Sequence, residues 1–242
     1  MRTETIELAR AQENGKAAAR LPRGLWLHVG CGFVTPHEWV NLDASWNLLA
    51  ARVPGLRRVL RAARLISTEA EQHAWAEHIR YCDVTRGLPF QEGEAAVVYA
   101  SHVLEHLTRR HAQNFVREAY RVLAPGGVLR LVVPDLERLA RLYLEHKANR
   151  AANGITADEF MEQLRTSPDY SDAALPLKIY RAYLDTLSHK WMYDAASLTQ
   201  LMGDAGFSQL KSCGYLESRV PQIAQVERAH RLEDGLCIEG VR

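Results

Sequence analysis

The sequence is short of cysteine, and its cysteines form no pattern. Cys31, Cys82, Cys213 and Cys237 are all there are, and no two stand as C-x-x-C. Neither a zinc knuckle nor a disulfide framework is encoded, and a reducing, cytoplasmic setting is expected. No sign of charge dominates: 30 Lys and Arg against 29 Asp and Glu leave a formal +1. That removes the basic bias expected of a nucleic-acid partner, and no run of exposed aromatics points to one either. No apolar stretch approaches the ~20 residues of a membrane span. Met1 to Arg20 alternates charged and small residues, without the apolar core of a signal peptide. No repeat recurs at a fixed period.

What is present is ordinary in bulk and ordered in detail. The 242 residues suffice for one large α/β domain with its own core. A polar arm, residues 1–23, precedes a single domain at 24–242. Leu25 to Val29 is a short apolar run ending in Gly-Cys-Gly, a buried strand entering a turn. Trp39 to Leu42 is a second strand stopped by Asp43, Ile79 to Cys82 a third stopped by Asp83, and Ala95 to Ala100 a fourth stopped by Ser101 and His102. In open parallel sheets that carboxyl edge is where ligands bind. Arg109 to Leu123 is a helix with Phe115, Ala119, Val122 and Leu123 on one face. Pro125-Gly126-Gly127 is a turn, and Val128 to Val133, the most β-branched run, is a central fifth strand.

Residues 135–194 contain no strand-like run. They predict helices over Leu136 to Ala151, Asp158 to Leu164 behind a Thr156-x-x-Glu159 capping box, and Leu177 to Leu187. Asp194 caps a further helix, Ala195 to Asp204, closed by Gly206. Phe207 to Cys213 and Leu236 to Val241 are the last two strands, joined by a polar stretch. The expected fold is therefore α/β: a Rossmann-like, mostly parallel seven-stranded sheet with an antiparallel C-terminal edge pair and a helical insertion after strand five.

Five motifs stand in order along this frame: L-H-V-G-C-G, N-L-D, Y-C-D-V, S-H-V-L-E-H-L and R-V-L-A-P-G-G-V-L-R-L-V-V-P. Together they resemble the class I S-adenosylmethionine-dependent methyltransferases, and most closely the compact small-molecule and glycan-pathway branch with an E-H motif (methyltransferase type 11-like). The resemblance is strong over about Leu25 to Pro134 and weaker from Asp194 onward. It implies S-adenosylmethionine as cofactor, held by the segment containing His28, Gly30, Cys31 and Gly32. Asp43 is implied to meet the ribose hydroxyls, Asp83 the adenine amino group, and Val84 the ring. Ser101 and His102 are implied to close the floor beneath the sulfonium. Physically, Gly30 and Gly32 leave the backbone bare for close approach by the cofactor.

The link between the first two strands departs from the common pattern. Phe33 to Glu38 is six residues, whereas a parallel crossover takes a dozen or more. Six extended residues reach only about 20 Å, so the first crossover helix should be missing or reduced to a single turn. That counts against a dinucleotide, whose pyrophosphate sits on that helix, and less against a phosphate-free cofactor.

His102 to His106 spells H-x-x-E-H, the inverted zinc-protease signature. Such a site needs both histidines on one helix face and a third ligand later in the chain. The pattern here starts at a strand tip, so no metal is expected. Glu105 and His106 either brace the loop, or His106 or His102 faces the acceptor as a general base. In the cluster His189 to Asp194, Trp191 reads as core and Asp194 as a cap. His189 and Tyr193 read as acceptor-pocket residues, His189 as a base that titrates near neutral pH. The segment 135–194 would form a lid over a small-molecule acceptor, such as a sugar, glycan or natural-product intermediate. Residues 46–66 place Arg52, Arg57, Arg58, Arg61 and Arg64 among apolar side chains. A surface helix with snorkelling arginines is favoured over peripheral membrane contact. A non-catalytic binding subunit and a zinc hydrolase are the rival readings.

Overall fold

The β-branched run at Val128 to Val133 does form the centre of the fold. A computed structural model describes residues 21–45, 48, 55, 62, 78–149, 154–166 and 188–242. Among the described residues there are seven strands: β1 (Leu25–Val29), β2 (Val40–Asp43), β3 (Arg80–Tyr81), β4 (Ala95–Ser101), β5 (Leu123–Pro134), β6 (Ser208–Ser212) and β7 (Gly235–Val241). They form one sheet in the order β3-β2-β1-β4-β5-β7-β6. The pairs from β3 to β5 are parallel and those made by β7 antiparallel, as the strand pattern predicts. The Pro125-Gly126-Gly127 turn lies inside β5 rather than before it. Leu123 pairs with Ala95 and Val128 with Val97, so Ala124 to Gly127 bulge out between them, with Gly126 at φ +82°.

Both faces of the central strands are buried, which is why β4 is apolar throughout rather than alternating. On β5 and β7 the period of two sorts side chains between two cores. Leu129, Leu131, Val133, Leu236 and Ile238 enter the first, and Val128, Val132 and Cys237 the second. Helices close the first face. In α1 (Arg109–Val122), Ala112, Phe115, Val116, Ala119 and Val122 form one buried stripe, and Thr108 caps its N-terminus. The remaining helices among the described residues are α2 (Leu136–Asn149), α3 (Ala157–Leu164) and α4 (Ala195–Asp204). The Thr156–Glu159 capping box is formed, and Asp194 caps α4 with Ser197 answering reciprocally.

The second face is closed differently. No helix stands between β1 and β2, where residues 30–39 run as turns, in agreement with the short link. Trp39, from that link, packs edge-on to Trp26 at 5.3 Å and to Tyr99 at 6.3 Å. The connection between β6 and β7, which reads as merely polar in the sequence, supplies Val220, Ile223 and Val226 to this core. It also supplies Glu227 to a fully buried Arg130, whose guanidinium lies 2.8 Å from Glu227 and 3.2 Å from Glu239. Arg130 further donates to the carbonyls of Glu217 and Gly214. Removing one member of such a group strands the others without water, at about 3–5 kcal/mol.

The insertion leaves and rejoins the sheet at one place. Asp135 and Tyr193 form a parallel bridge, and the Leu136 amide donates to the Tyr193 carbonyl. The expected helix at 177–187, residues 1–20 of the arm and nearly all of the basic segment 46–66 lie outside the described residues. Among the described residues no helix is long and apolar enough to cross a membrane.

Candidate active site at the carboxyl edge of the sheet

The ends of β1, β2 and β4, with the turn after β3, surround a cavity of about 650 Å³, within the ~300–1,000 Å³ of small-molecule sites. Its walls come from seven separate stretches of chain. The strand ends give Gly30, Asp43, Asp83, Val84 and His102. The turn after β4 gives Glu105 and His106, the insertion gives Arg165, His189 and Lys190, and the β6–β7 connection gives His230 and Arg231.

Gly30 allows the first turn to pass β4's loop. Its φ is +66°, and a Cβ there would stand 2.3 Å from a methyl carbon of Val103. The amides of this turn are engaged within the protein. Gly30 and Cys31 donate to the Leu42 carbonyl at 2.8 and 3.1 Å, and Gly32 donates to Asp43 Oδ2 at 2.9 Å. Because the crossover is so short, the turn folds directly onto the end of β2. Asp43 Oδ1 accepts from the Ser45 amide at 2.7 Å. Each oxygen of a carboxylate has two lone pairs, so a clamped Asp43 still has acceptor capacity for a ligand in the cavity. Asp83 is arranged likewise: it caps the 3-10 turn Val84–Arg86, accepting from the amide and hydroxyl of Thr85 at 3.0 and 2.7 Å.

His102 adopts a left-handed backbone at φ +56°, which costs a non-glycine residue roughly 1–2 kcal/mol. Three contacts hold it. Its amide donates to the Val132 carbonyl at 2.9 Å, Nε2 lies 3.0 Å from the Arg231 carbonyl, and Nδ1 lies 3.1 Å from Glu105 Oε1. His102 therefore stands outside the 3-10 turn Leu104–His106. The two histidines of H-x-x-E-H share no helix face, and the inverted zinc-protease geometry is absent.

Glu105 is fully buried. Its backbone carbonyl accepts from the Lys190 and Trp191 amides at 2.6 and 3.2 Å, which ties the end of the insertion to the turn after β4. His106 Nδ1 lies 3.2 Å from the Ser188 carbonyl. Its ring meets that of His189 edge to face, with centroids 5.2 Å apart. Burial lowers the pKa of His189, while the neighbouring Glu105 charge pulls it back.

Several expected residues lie elsewhere. His28 is buried on the second face against Tyr99 and Trp39, where burial pushes its pKa down to about 3. Cys31 packs with Leu48 and Ile79, and burial pushes its thiol upward. Gly32, Ser101 and Tyr193 are not among the residues lining the cavity. Tyr193 belongs to the first core, where burial pushes its hydroxyl up to about 12. Trp191 is not core: it is part-exposed beneath the Arg109 guanidinium, 5.0 Å away. Ser45, Thr85, Arg165, Lys190, His230 and Arg231 line the cavity without a local signal; only Lys190 falls in a cluster that stands out in the sequence.

Residues 27–131 match the family model described as a methyltransferase domain, the stretch that supplies Gly30, Asp43, Asp83, His102 and Glu105. Among solved structures, a protein of Listeria monocytogenes described as an S-adenosylmethionine-dependent methyltransferase is similar at 15% identity, over 97% of this chain and 99% of that one, with a TM-score of 0.52. One from Mesorhizobium loti is similar at 18% identity over 95% and 96%, with a TM-score of 0.45. One from Archaeoglobus fulgidus is similar at 13% over 98% and 94%, with a TM-score of 0.46. Among curated proteins, no sequence matches the chain.

Proposed function

We propose that the chain is a class I S-adenosylmethionine-dependent methyltransferase, a reading supported by the methyltransferase-domain match over residues 27–131, and that it methylates a small polar molecule bound beside the cofactor in the 650 Å³ cavity. The observation that carries the reading is the cavity's division into two chemically different ends. Asp43 and Asp83, with Val84 between the strand ends, offer carboxylate acceptors and an apolar shelf. They suit a ribose, an exocyclic amine and a purine ring. The short helix-free link from β1 to β2 has no phosphate to hold, which fits the same cofactor. Glu105, His106, Arg165, His189 and Lys190 make the other end polar and mostly basic, a lining for a sugar-like or natural-product acceptor bearing hydroxyl or acidic groups.

When bound, S-adenosylmethionine supplies a sulfonium methyl already reactive toward nucleophiles. The work left to the protein is alignment, exclusion of water and handling of the acceptor's proton. Asp43 and Asp83 orient the cofactor from one side. His102, locked by Val132, Arg231 and Glu105, forms the wall between the two ends. His106 and His189 face the acceptor and, with no cation bound, are placed to take the proton of its nucleophilic atom. The insertion, anchored where Asp135 meets Tyr193, acts as the lid. Free Cys31, Cys82, Cys213 and Cys237 suit a cytoplasmic enzyme.

Calorimetric titration with S-adenosylmethionine and S-adenosylhomocysteine, followed by transfer of labelled methyl to fractionated cell extract, tests the reading. Saturable binding of both and label in a low-molecular-weight fraction are expected. Binding without transfer to any fraction would instead support a non-catalytic subunit.

A further inference from the structure

Glu105, His106 and His189 meet in a way that neither packing nor acid–base chemistry explains fully. One ligating atom from each lies within 4.8 Å of the others, and all three residues line the cavity. Glu105 is fully buried, yet neither carboxylate oxygen has a hydrogen bond, and His189 Nδ1 is likewise buried without a partner. Burying a carboxylate this way is costly unless something neutralises it. His102 Nδ1, 3.1 Å from Oε1, answers for one oxygen. It leaves Oε2 and His189 Nδ1 unaccounted for.

We propose that Glu105, His106 and His189 form a divalent-metal site at the acceptor end of the cavity, with a bound cation of the zinc, cobalt or manganese type. The donor set, two imidazoles and a carboxylate, suits these ions better than magnesium or calcium, which favour all-oxygen shells. The ring orientations agree. The contact of His106 Nδ1 with the Ser188 carbonyl, as donor, leaves Nε2 as the lone-pair nitrogen, an arrangement common among metal-bound histidines. His189 is hydrogen-bonded to the Leu164 backbone and keeps Nδ1 open. Around a zinc ion with bonds of ~2.0–2.2 Å, tetrahedral ligand atoms stand about 3.4 Å apart. The three groups therefore need to close by roughly an ångström, within the reach of side-chain rotation. The backbone frame is already set by the Lys190 and Trp191 amides on the Glu105 carbonyl and by the His189 amide on the Arg165 carbonyl at 3.0 Å.

Three protein ligands leave coordination positions vacant, the pattern of catalytic rather than structural sites. Those positions open on the cavity, so the acceptor group they take is an oxygen donor, a hydroxyl or carboxylate. This assignment of substrate class rests on the methyltransferase reading; metal binding itself does not.

The test is titration of the metal-stripped, tag-free full chain with Co2+, followed by its visible absorption, and with Zn2+ by competition. Neither cofactor nor acceptor is present. One equivalent should bind, giving the d–d bands of a low-coordinate nitrogen–oxygen site. His106→Ala and His189→Ala, checked for intact fold by circular dichroism, should each weaken binding by more than the ~10–100-fold that loss of an outer partner costs. Glu105→Gln is read only if it folds. Binding that persists in both histidine variants, or no binding in the wild type, overturns the proposal. S-Adenosylhomocysteine binding measured in the same samples reports separately on the methyltransferase reading.

Discussion

The two ends of the cavity are built by opposite strategies. At the end we assign to the cofactor the polar groups are already engaged by the protein: Asp43 clamps Gly32 and Ser45, and Asp83 caps its own turn. Those carboxylates are pre-aimed, and a ligand adds hydrogen bonds without reorganising the turns. At the acceptor end Glu105 and His189 are buried with atoms unsatisfied, an arrangement that is costly until a ligand or ion arrives. The first end has its carboxylates paired within the protein, and the second carries the cost of buried atoms without partners. A shared support underlies both: the connection carrying Arg231 is held to the second face by the Arg130 group together with Val220, Ile223 and Val226.

That support should show the largest effect. Arg130→Met leaves Glu227 and Glu239 buried without their cation and should lower unfolding free energy by about 3–5 kcal/mol, read by urea denaturation. A loss below about 1 kcal/mol would mean the connection is held by Val220, Ile223 and Val226 alone. His189→Ala should come next. It should cut turnover by about 10²–10⁴-fold with S-adenosylmethionine affinity almost unchanged, and equal losses in both would merge the two ends. Asp43→Ala should weaken the cofactor by roughly 10–100-fold, the value of hydrogen bonds to a charged group.

The smallest effect lies in His28, on the face away from the cavity. Its folded pKa of about 3 lies below the ordinary 6.5, so the unfolded chain binds the proton that the folded chain refuses. Stability from this residue is fully present above pH 6.5 and is lost as pH falls toward 3, at up to about 1.4 kcal/mol per pH unit. Denaturation of wild type and His28→Gln at pH 7, 6 and 5 checks it. The difference between them should shrink with falling pH, and parallel curves would contradict the shift.

That Gly30, Asp43 and Asp83 meet at one cavity was legible because the signals are local. A glycine turn after an apolar run, and an aspartate closing each of the next two strands, place Gly30, Asp43 and Asp83 without knowledge of distant contacts. The six-residue link likewise predicts the missing helix. What the glycines do was not legible: their amides are consumed by Leu42 and Asp43 because the link is short enough to fold onto β2. The acceptor end was only half visible. His106 and His189 stood out by type, but Glu105 looked like a loop brace. Arg165, His230 and Arg231 carry no pattern, since they meet only through long connections. Arg130 and Glu227 were hidden for the same reason, one within an apolar strand and the other in a stretch that reads as solvated.

The separation of the two ends is tested most directly by S-adenosylhomocysteine affinity, measured calorimetrically in Asp43→Ala and His189→Ala side by side. The account predicts at least a tenfold loss (about 1.4 kcal/mol) in the first and less than about a twofold change in the second. Equal affinities in the two variants, or the larger loss in His189→Ala, would contradict it.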